Sequence, residues 1–390
     1  MQTLRNSANA ALTIHDLVAY GADPGQGYST EGSVLASQSA DGINLNAIWE
    51  EAAAAMALWN KQRSALASII SYPVTVPGDA IPQSLGGDTF DIASEFGEPT
   101  GLAAEPDALI VAYRLDDYDK ATRFSHRFIR SASADQIKSV INRAFEADNR
   151  LVTGTLLRRL FDPTQGQNEF CSSVYGLYNA DGVVPPPFAG QTFAGSTTQY
   201  LVSGNAALDP GDLRDAINAV RRHGFGVDGN SRLLVLCNPA EAEIISTFKA
   251  GEETNGVESA YDFVPSASAP AYLTPENIVG LVAPGEFGGL EISGSFGPAW
   301  IAPSHYIPIG YVAVVATGGP NSSLNPVAFR EHPSPEYRGL RQIAGRDQRY
   351  PLIESYFLRT FGTGVRLRGA ACIVQVKASG SYTKPEWSWS

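Results

Sequence analysis

The 390-residue sequence has few of the residue patterns from which catalytic, metal and redox sites are usually built. Its three cysteines, Cys171, Cys237 and Cys372, form no C-x-x-C motif, which predicts buried reduced thiols rather than a disulfide framework or a zinc knuckle. The histidines show no H-x-x-H or H-E-x-x-H spacing; they are His15, His126, His223, His305 and His332. Walker A and G-x-S-x-G motifs are also absent. These absences argue against an enzyme and predict no cofactor and no bound metal.

The sequence also lacks long apolar runs anywhere in the chain, and its N-terminus lacks a basic cluster. No run of about 18 apolar residues occurs, which argues against a transmembrane helix. The N-terminal residues lack the basic start, apolar core and cleavage site of a secretory signal, so the chain is expected to begin in the cytoplasm. The net charge of −12 argues against a protein whose main task is to grip nucleic acid, although an acidic wall would keep packed DNA from sticking.

The strongest pattern in the chain is an amphipathic helix over residues 133–161. Its apolar residues recur at three- and four-residue spacing and are Ile137, Val140, Ile141, Ala144, Phe145, Leu151, Val152, Leu156 and Leu160. Ser133 and Gln136 match a capping box, and Asp162-Pro163 ends the helix. At 1.5 Å per residue the helix is about 40 Å long, which is unusual for a globular protein.

The residues before this helix are predicted to form two extended segments, separated by a helix, that are stable only in contact with another subunit. Residues 1–41 are polar and rich in Gly and Ser, which indicates an arm without a core of its own. Residues 42–71 predict a single helix, and residues 72–130 predict a long two-stranded arm with a turn-rich tip at GEPTGLAAEPD. Since a two-stranded arm is marginal alone, the pattern implies self-assembly.

Residues after the long helix indicate an α/β region. Helices are predicted over residues 208–223 and 239–248, with a strand covered on both faces at Leu233–Leu236. Residues 251–277 are predicted to be a mobile loop, and strand-like runs follow from Ile278 to Val315. The tail predicts two long strands packed beneath the long helix, with a bulge or bend at Gly362-Thr363-Gly364. The domain carrying that helix would then include both ends of the chain, with residues 201–330 inserted.

Charge is uneven, with seven Arg against two acids between Arg338 and Arg368. This cluster could face DNA or a scaffold, or it could pair with acids of an adjacent subunit. The acidic chain favours inter-subunit pairing, and the candidate contacts are Glu105, Asp116, Asp117, Arg338, Arg341, Arg346 and Arg349. A solvated surface is the third interpretation of the arginine cluster. The acidic group of Asp116, Asp117 and Asp119 lacks the pattern of a calcium loop.

This order of elements resembles the major capsid proteins of tailed bacteriophages, which share the HK97-like fold with encapsulins. The resemblance covers nearly the whole chain and implies an α+β fold. It implies an N-terminal arm (1–41), an N-terminal helix (42–71), an extended β-hairpin loop (72–130) and a peripheral domain with a long spine helix (131–200). An α/β axial domain (201–330) and a return to the peripheral domain (331–390) would complete it.

The function implied by the resemblance is structural. The chain is expected to form hexamers and pentamers of an icosahedral shell around double-stranded DNA, in a virion assembled in the host bacterial cytoplasm. The expected partners are the protein itself, a separate scaffolding protein, a portal, a cement or decoration protein, and packaged DNA by weak contact, with no membrane. An encapsulin-like compartment around cargo protein is the alternative.

Two departures from the family bear on these expectations. Some members crosslink subunits through a lysine in the extended loop, but the loop's only lysine is Lys120, near its base and among acids, which argues against crosslinking. About seventy residues precede the loop, too few for a cleaved helical scaffold, so a separate scaffolding protein is inferred. A soluble α/β enzyme with an oligomerisation arm is a third hypothesis, and it predicts a small oligomer with a polar pocket.

Overall fold

A computed structural model describes residues 39–61, 63–82, 92, 108–184, 193–227, 229–267, 282–344 and 352–387. Nearly all of the predicted arm and the tip of the predicted extended loop lie outside these residues. Internal contacts divide the chain into two compact units. One unit contains residues up to Ala55 with Ala121–Asn142 and Gln342–Tyr356, and the other contains Met56–Lys120, Arg143–Arg341 and Phe357–Ser390.

The described part of the chain contains six α-helices. They are α1 (Leu45–Trp59), α2 (Ala65–Ile70), α3 (His126–Ser131), α4 (Ala134–Phe161), α5 (Pro210–Arg222) and α6 (Pro239–Ser246). The long helix is confirmed as α4, and its predicted stripe is largely buried. The capping box is present too, because Ser133 N–H donates to Gln136 Oε1 at 3.0 Å and Gln136 N–H donates to Ser133 Oγ at 3.4 Å.

The single helix predicted over residues 42–71 is wrong, because the structure has two helices there, α1 and α2. Asn60 leaves the helix and pairs with the backbone of Leu340, accepting its N–H at 2.7 Å and donating to its C=O at 2.8 Å. Ser64 then starts a new helix, since its hydroxyl accepts the N–H of Ala67 at 3.3 Å. Side chains that bond to backbone ended a run that helix propensity alone would have continued.

The extended structure predicted as far as residue 130 is also wrong at its end, where Phe124, His126 and Phe128 alternate in the sequence as they would on a strand. The strand ends at Ser125, whose hydroxyl accepts the N–H of Phe128 at 3.1 Å and caps α3. Phe124 and Phe128 stack at 5.9 Å between ring centroids, a contact that four-residue spacing permits on a helical turn. The spacing of Phe124 and Phe128 is therefore compatible with a strand and with a helical turn, and the cap provided by Ser125 favours the helical turn.

Within the described residues, twenty strands form two main sheets and several small hairpins. In chain order they are β1 (Ser71–Val74), β2 (Gly78–Pro82), β3 (Ala108–Ala112), β4 (Asp116–Ser125), β5 (Gly166–Gln167), β6 (Ser173–Val174), β7 (Tyr200–Val202), β8 (Arg232–Cys237), β9 (Glu253–Thr254), β10 (Val257–Glu258), β11 (Phe263–Pro265), β12 (Glu286–Phe287), β13 (Leu290–Glu291), β14 (Gly294–Phe296), β15 (Ala299–Pro303), β16 (Tyr311–Thr317), β17 (Val327–Glu331), β18 (Leu340–Ala344), β19 (Leu352–Val365) and β20 (Ala371–Gln375). The seven-stranded sheet has the order β11-β14-β15-β8-β16-β20-β7. The five-stranded sheet has the order β1-β17-β19-β18, with β4 also paired to β19.

The centre of the seven-stranded sheet is β8, whose apolar run is buried on both faces as predicted. Leu234 and Leu236 belong to a core cluster with the C-terminal half of α4. The alternate residues Leu233 and Val235 belong to a second cluster with α5 and α6. Helices thus cover both faces of this sheet, which explains the continuous apolar run in its central strand.

Three further expectations need correction. The described part of the loop predicted over residues 251–277 contains the β9–β10 hairpin and β11, which adds a strand to the seven-stranded sheet. Asn255 and Gly256 both have positive φ (54° and 81°), as a two-residue type I′ turn requires. The tail was predicted as two long strands, but only β19 is long; β20 has five residues and lies between β16 and β7 in the seven-stranded sheet. Residues of both strands share a core cluster with α4, in agreement with their predicted position beneath it. Cys171 is exposed, although Cys237 and Cys372 are buried as expected.

Candidate assembly interface

The predicted extended loop has a two-stranded root. β2 and β3 pair antiparallel from Gly78↔Ala112 to Pro82↔Ala108. Beyond this root, Ile92 is described, and its side chain is 99% exposed. The root therefore agrees with a long hairpin that begins at residue 78, while the loop tip lies outside the described residues.

A buried hydrogen-bond network fixes the root of this loop. The hydroxyls of Tyr72 and Tyr113 lie 2.9 Å apart, and Tyr113 donates to Asp79 Oδ2 at 2.7 Å. Because the single hydroxyl hydrogen of Tyr113 goes to the carboxylate, Tyr72 must donate to Tyr113. Burial raises the pKa of Tyr72 to about 12 and raises the pKa of Tyr113 further, so both phenols stay protonated near neutral pH. Arg366 Nε lies 3.7 Å from Asp79 Oδ2 and balances its charge.

The segment that returns from the loop crosses β19 at very short range. A Cβ on Gly362 would lie 1.6 Å from the backbone oxygen of Arg114, and one on Gly364 would lie 2.7 Å from that of Ala112. Arg114 N–H donates to the C=O of Thr363 at 3.2 Å. β19 pairs with β17 in unbroken register through these glycines, so the bulge is wrong, while the alternative, a bend, stays a prediction. The glycines are required instead for the close approach of a second backbone.

A buried ion pair joins α4 to β19. Asp148 Oδ2 lies 3.4 Å from Arg359 NH1 and also accepts the indole N–H of Trp59 at 3.0 Å. Both charged side chains are more than nine-tenths buried, at 5% and 7% exposure. The Arg359 guanidinium lies 5.9 Å from the ring centroids of Phe329 and Phe361. This set of contacts fixes the register of the helix on the five-stranded sheet.

Sequence reasoning missed Asp148 and Arg359, although a signal was present. Asp148 follows Ala144 and precedes Val152 by four residues, so it lies on the apolar stripe of α4. A carboxylate on a buried helical stripe requires a cationic or hydrogen-bonding partner. That pattern could have predicted a buried ion pair, but it does not identify which arginine provides it.

A cavity of about 470 Å³ lies along α4. Its lining residues come from α4, the start of β4, and the strands β18 and β19: Tyr118, Asp119, Lys120, Ala144, Ala147, Asp148, Arg150, Leu151, Gly154, Thr155, Arg158, Leu340, Phe357 and Arg359. We call this cavity the α4 groove. It combines an apolar lining with more cationic than anionic side chains.

The predicted contact residues that the structure describes are bonded within their own chain. Asp116 forms an ion pair with Arg114 at 2.7 Å, and Arg338 donates to the backbone oxygens of residues 332 and 333. Asp117 and Arg341 are brought together through Thr360, whose hydroxyl donates to Asp117 at 2.6 Å and accepts from Arg341 at 2.8 Å. The other three candidates, Glu105, Arg346 and Arg349, lie outside the described residues.

The described residues contain no cluster of three or more His, Cys, Asp or Glu side chains that could hold a metal ion. Among the described helices, none has both the length and the apolar character needed to span a membrane.

Comparison with solved structures places the chain among known relatives. A chain of Mycobacterium phage Patience is 37% identical, with a TM-score of 0.71, over 92% of this chain and 96% of that one. The capsid of an empty GTA particle is 14% identical, with a TM-score of 0.46, over 81% and 91% of the two chains. The holo-SrpI encapsulin complex of Synechococcus elongatus PCC 7942 is 13% identical, with a TM-score of 0.40, over 82% and 89%. No family model and no curated protein matches the sequence. The identity and coverage of the first match are high enough to establish family membership.

Proposed function

The chain belongs to the HK97-like major capsid proteins of tailed bacteriophages, and we propose that it builds its icosahedral shell from hexamers and pentamers around double-stranded DNA. As a capsid component it has a structural role and is not an enzyme. Its self-assembly adds many modest contacts, whose combined strength exceeds that of any one of them. The observation that supports the proposed mechanism is the braced root of the extended loop.

The root supports a mechanical role for the loop. A long hairpin can hold a neighbouring subunit only if its base does not pivot. The Tyr72, Tyr113 and Asp79 network and the crossing at Gly362 oppose such pivoting, because they fix both strands of the hairpin to the sheet beneath. The loop would therefore transmit force between subunits as a lever and not as a flexible tether.

The proposed domains follow the family arrangement. Residues 1–41 form an arm, residues 42–71 the N-terminal helices and residues 72–130 the extended loop. Residues 131–200 and 331–390 form the peripheral domain, and residues 201–330 the axial domain. The length of α4 supports the peripheral domain. Most strands of the sheet around β8 come from residues 201–330, whereas β20 of the same sheet comes from residues 371–375 and departs from this division. Contacts between subunits would involve Glu105, Arg346 and Arg349. At Asp116, Asp117, Arg338 and Arg341 they would share side chains already bonded in the chain.

Further partners belong to the proposal. A separate scaffolding protein would guide assembly, a portal would occupy one vertex, and a cement protein would bind the outer surface. Packaged DNA would meet the shell through weak contacts, since a chain of net charge −12 offers little general attraction to phosphates.

Electron microscopy of negatively stained protein tests the proposed assembly. The chain is purified after expression alone and after expression with the rest of its gene cluster. We expect large angular shells or tubes in at least one preparation, with a diameter that suits a genome. Small discrete oligomers in both would refute assembly. Small shells that enclose protein would favour the encapsulin-like alternative.

A loop replacement tests the lever. Residues 83–107 are exchanged for an Asn-Gly turn, which can close a hairpin in which Pro82 pairs with Ala108. The matched control exchanges the same residues for a Gly- and Ser-rich segment of equal length. We expect both proteins to be soluble and folded but unable to close shells. Normal particles from either would contradict the role assigned to the loop.

A further inference from the structure

We propose that Asn325 is a positioning residue that fixes the angle between the two main sheets, and that this angle sets the curvature with which subunits close into a shell. The inference rests on the proposed assembly, because it assigns the curvature of that shell to one buried side chain. Asn325 lies where the chain passes from the seven-stranded sheet to the five-stranded sheet.

Two connections between the sheets lie side by side. β16 of the seven-stranded sheet leads through residues 318–326 into β17 of the five-stranded sheet. β19 of the five-stranded sheet leads through residues 366–370 into β20 of the seven-stranded sheet. The connections are in contact, since Arg366 N–H donates to the C=O of Pro326 at 3.2 Å. Adjacent connections of this kind form a line about which two packed sheets can rotate.

Apolar contacts hold the two sheets together without fixing the rotation between them. One cluster contains Leu234 and Val315 of the seven-stranded sheet, Val327 and Phe329 of the five-stranded sheet, and residues of α4. Hydrophobic attraction is non-directional, and packed layers can slide over one another by small amounts. Directional contacts are therefore needed to fix the angle between the sheets.

The side-chain nitrogen of Asn325 provides such contacts to the five-stranded sheet. Asn325 is fully buried, and its Nδ2 lies 2.9 Å from the C=O of Ser71, 3.0 Å from that of Gly319 and 3.2 Å from that of Ser68. Because Nδ2 has two hydrogens, one hydrogen is shared between two of these acceptors. Ser68 belongs to α2, and Ser71 is the first residue of β1, which pairs with β17.

The side-chain oxygen of Asn325 is bonded to the seven-stranded sheet. Oδ1 accepts the N–H of Gly318 at 3.2 Å and lies 2.8 Å from the hydroxyl oxygen of Thr317, the last residue of β16. That hydroxyl oxygen also lies 2.9 Å from the C=O of Ile69 in α2. One buried amide thus bonds to the last residue of a strand in one sheet and to the first residue of a strand in the other.

A second set of bonds holds the same connection on its exposed side. Asn321 N–H donates to the C=O of Ser68 at 2.7 Å, and the Asn321 side chain accepts a hydrogen bond from Arg63. Arg63 also donates to the hydroxyl of Ser71 at 3.2 Å, and its guanidinium lies 4.5 Å from the ring centroid of Phe329 on β17. Rotation of the sheets would break these bonds and leave buried polar groups without partners, which is unfavourable.

The angle between the sheets matters for closure because every subunit repeats it. A contact repeated between identical subunits closes into one particle only when the rotation between neighbours has a defined value. In a shell whose neighbours contact the domains of both sheets, a variable angle between the sheets makes this rotation variable. A fixed angle therefore favours shells of one diameter, whereas a variable angle gives shells of several diameters or tubes.

Particle diameter in the Asn325→Ala variant tests the proposal. The matched control is chosen by stability from Leu213→Ala and the milder Ile217→Val, two buried positions on α5 in the other core cluster. The control with the urea midpoint nearer to that of Asn325→Ala is used, so that a loss of stability alone affects both proteins equally. Each chain is expressed with the rest of its gene cluster, and particle diameters are measured by cryo-electron microscopy.

We expect the diameter distribution of Asn325→Ala to be at least about twofold broader than that of the wild type, with the control as narrow as the wild type. Particles of Asn325→Ala with the diameter and spread of the wild type would overturn the proposal while the proposed function stands. A wild type that forms no shells would refute the proposed function, and the role in curvature would fail with it.

A distance measurement on the dissociated subunit covers the outcome in which Asn325→Ala forms no particles. Spin labels are attached through Thr75→Cys, next to β1, and Glu243→Cys, on α6, in a Cys171→Ser background; all three native residues are exposed. Double electron–electron resonance gives the distribution of distances between the labels. We expect this distribution to be at least about twofold broader in Asn325→Ala than in the wild type and the control. An unchanged distribution would show that Asn325 does not fix the angle.

Discussion

Substitution of Gly362 by alanine should move the root of the extended loop. The new Cβ would lie 1.6 Å from the backbone oxygen of Arg114, where real Cβ contacts essentially never fall below 3.0 Å. The crossing segment must therefore retreat by about 1.4 Å, the difference between these distances. A shift of that size stretches the 3.2 Å hydrogen bond from Arg114 to Thr363 beyond its useful range.

The cost of this shift follows from two effects. Overpacking costs about 1–3 kcal/mol, and the lost hydrogen bond costs about 1 kcal/mol. We therefore expect the free energy of unfolding to fall by about 2–4 kcal/mol, measured on the dissociated subunit by urea denaturation with tryptophan fluorescence. Particle yield should fall as well, because the loop leaves its root at a different angle.

A graded series makes the reasoning refutable. Gly364→Ala brings its Cβ to 2.7 Å from the backbone oxygen of Ala112 and needs a shift of only about 0.3 Å, so its cost should be smaller. Gly195→Ala meets no atom within 4 Å and its φ is not positive, so it should cost almost nothing. If Gly362→Ala is within about 0.5 kcal/mol of the wild type, or ranks below Gly364→Ala, the close crossing does not fix the loop.

Three further predictions concern a buried ion pair, a helix cap and a buried histidine. Asp148→Asn removes the nearer of the two carboxylates at Arg359 and leaves Glu331 at 3.9 Å, so it should lower the free energy of unfolding by about 3 kcal/mol in urea denaturation, whereas replacing an exposed acid should have little effect. Ser133→Ala removes the cap of α4 and should cost about 1 kcal/mol in the same assay, and Ser133→Asp should retain most of the stability. Burial lowers the pKa of His223 to about 4, so the unfolded chain binds its proton first and stability should fall as pH drops from about 6.5 towards 4. Burial raises the pKa of Asp212 to about 6, which acts in the opposite direction, so the histidine's share is the difference in pH-dependent urea midpoint between wild type and His223→Gln. Equal pH slopes for the two proteins would contradict it.

Periodic patterns predicted the elements with the strongest internal signals. The stripe and cap of α4 lie within one segment, and the apolar run of β8 records its burial on two faces, so both could be read locally. Residues 42–71 form two helices because Asn60 bonds to the backbone of Leu340, which lies far along the chain. The C=O of Leu340 accepts a hydrogen bond from the Asn60 side chain, and the N–H of Leu340 donates one to it. The helix propensity of residues 42–71 gives no information about a partner that lies so far along the chain.

The missed hairpin at Asn255-Gly256 is a different kind of error. An Asn-Gly pair between β-compatible residues is the strongest short signal for a type I′ turn, and it was present in the sequence. The root of the loop was harder to predict, because the Gly362 crossing and the Tyr72–Tyr113 bond join segments separated by tens to hundreds of residues. The sequence therefore predicted the candidate site in outline, as an extended arm that contacts another subunit. The residues that hold the root of this arm in place could be identified only from the three-dimensional structure.

Because Cys171 is exposed and the other two cysteines are buried, each subunit has a single thiol that a reagent can reach. Burial raises the pKa of the thiols of Cys237 and Cys372, so neither forms the reactive thiolate near neutral pH, whereas Cys171 lies on an exposed turn. A maleimide dye should therefore label one position per subunit, without any engineered residue. Comparing the labelling rate of free subunits with that of finished particles would report whether this turn becomes covered as the shell closes.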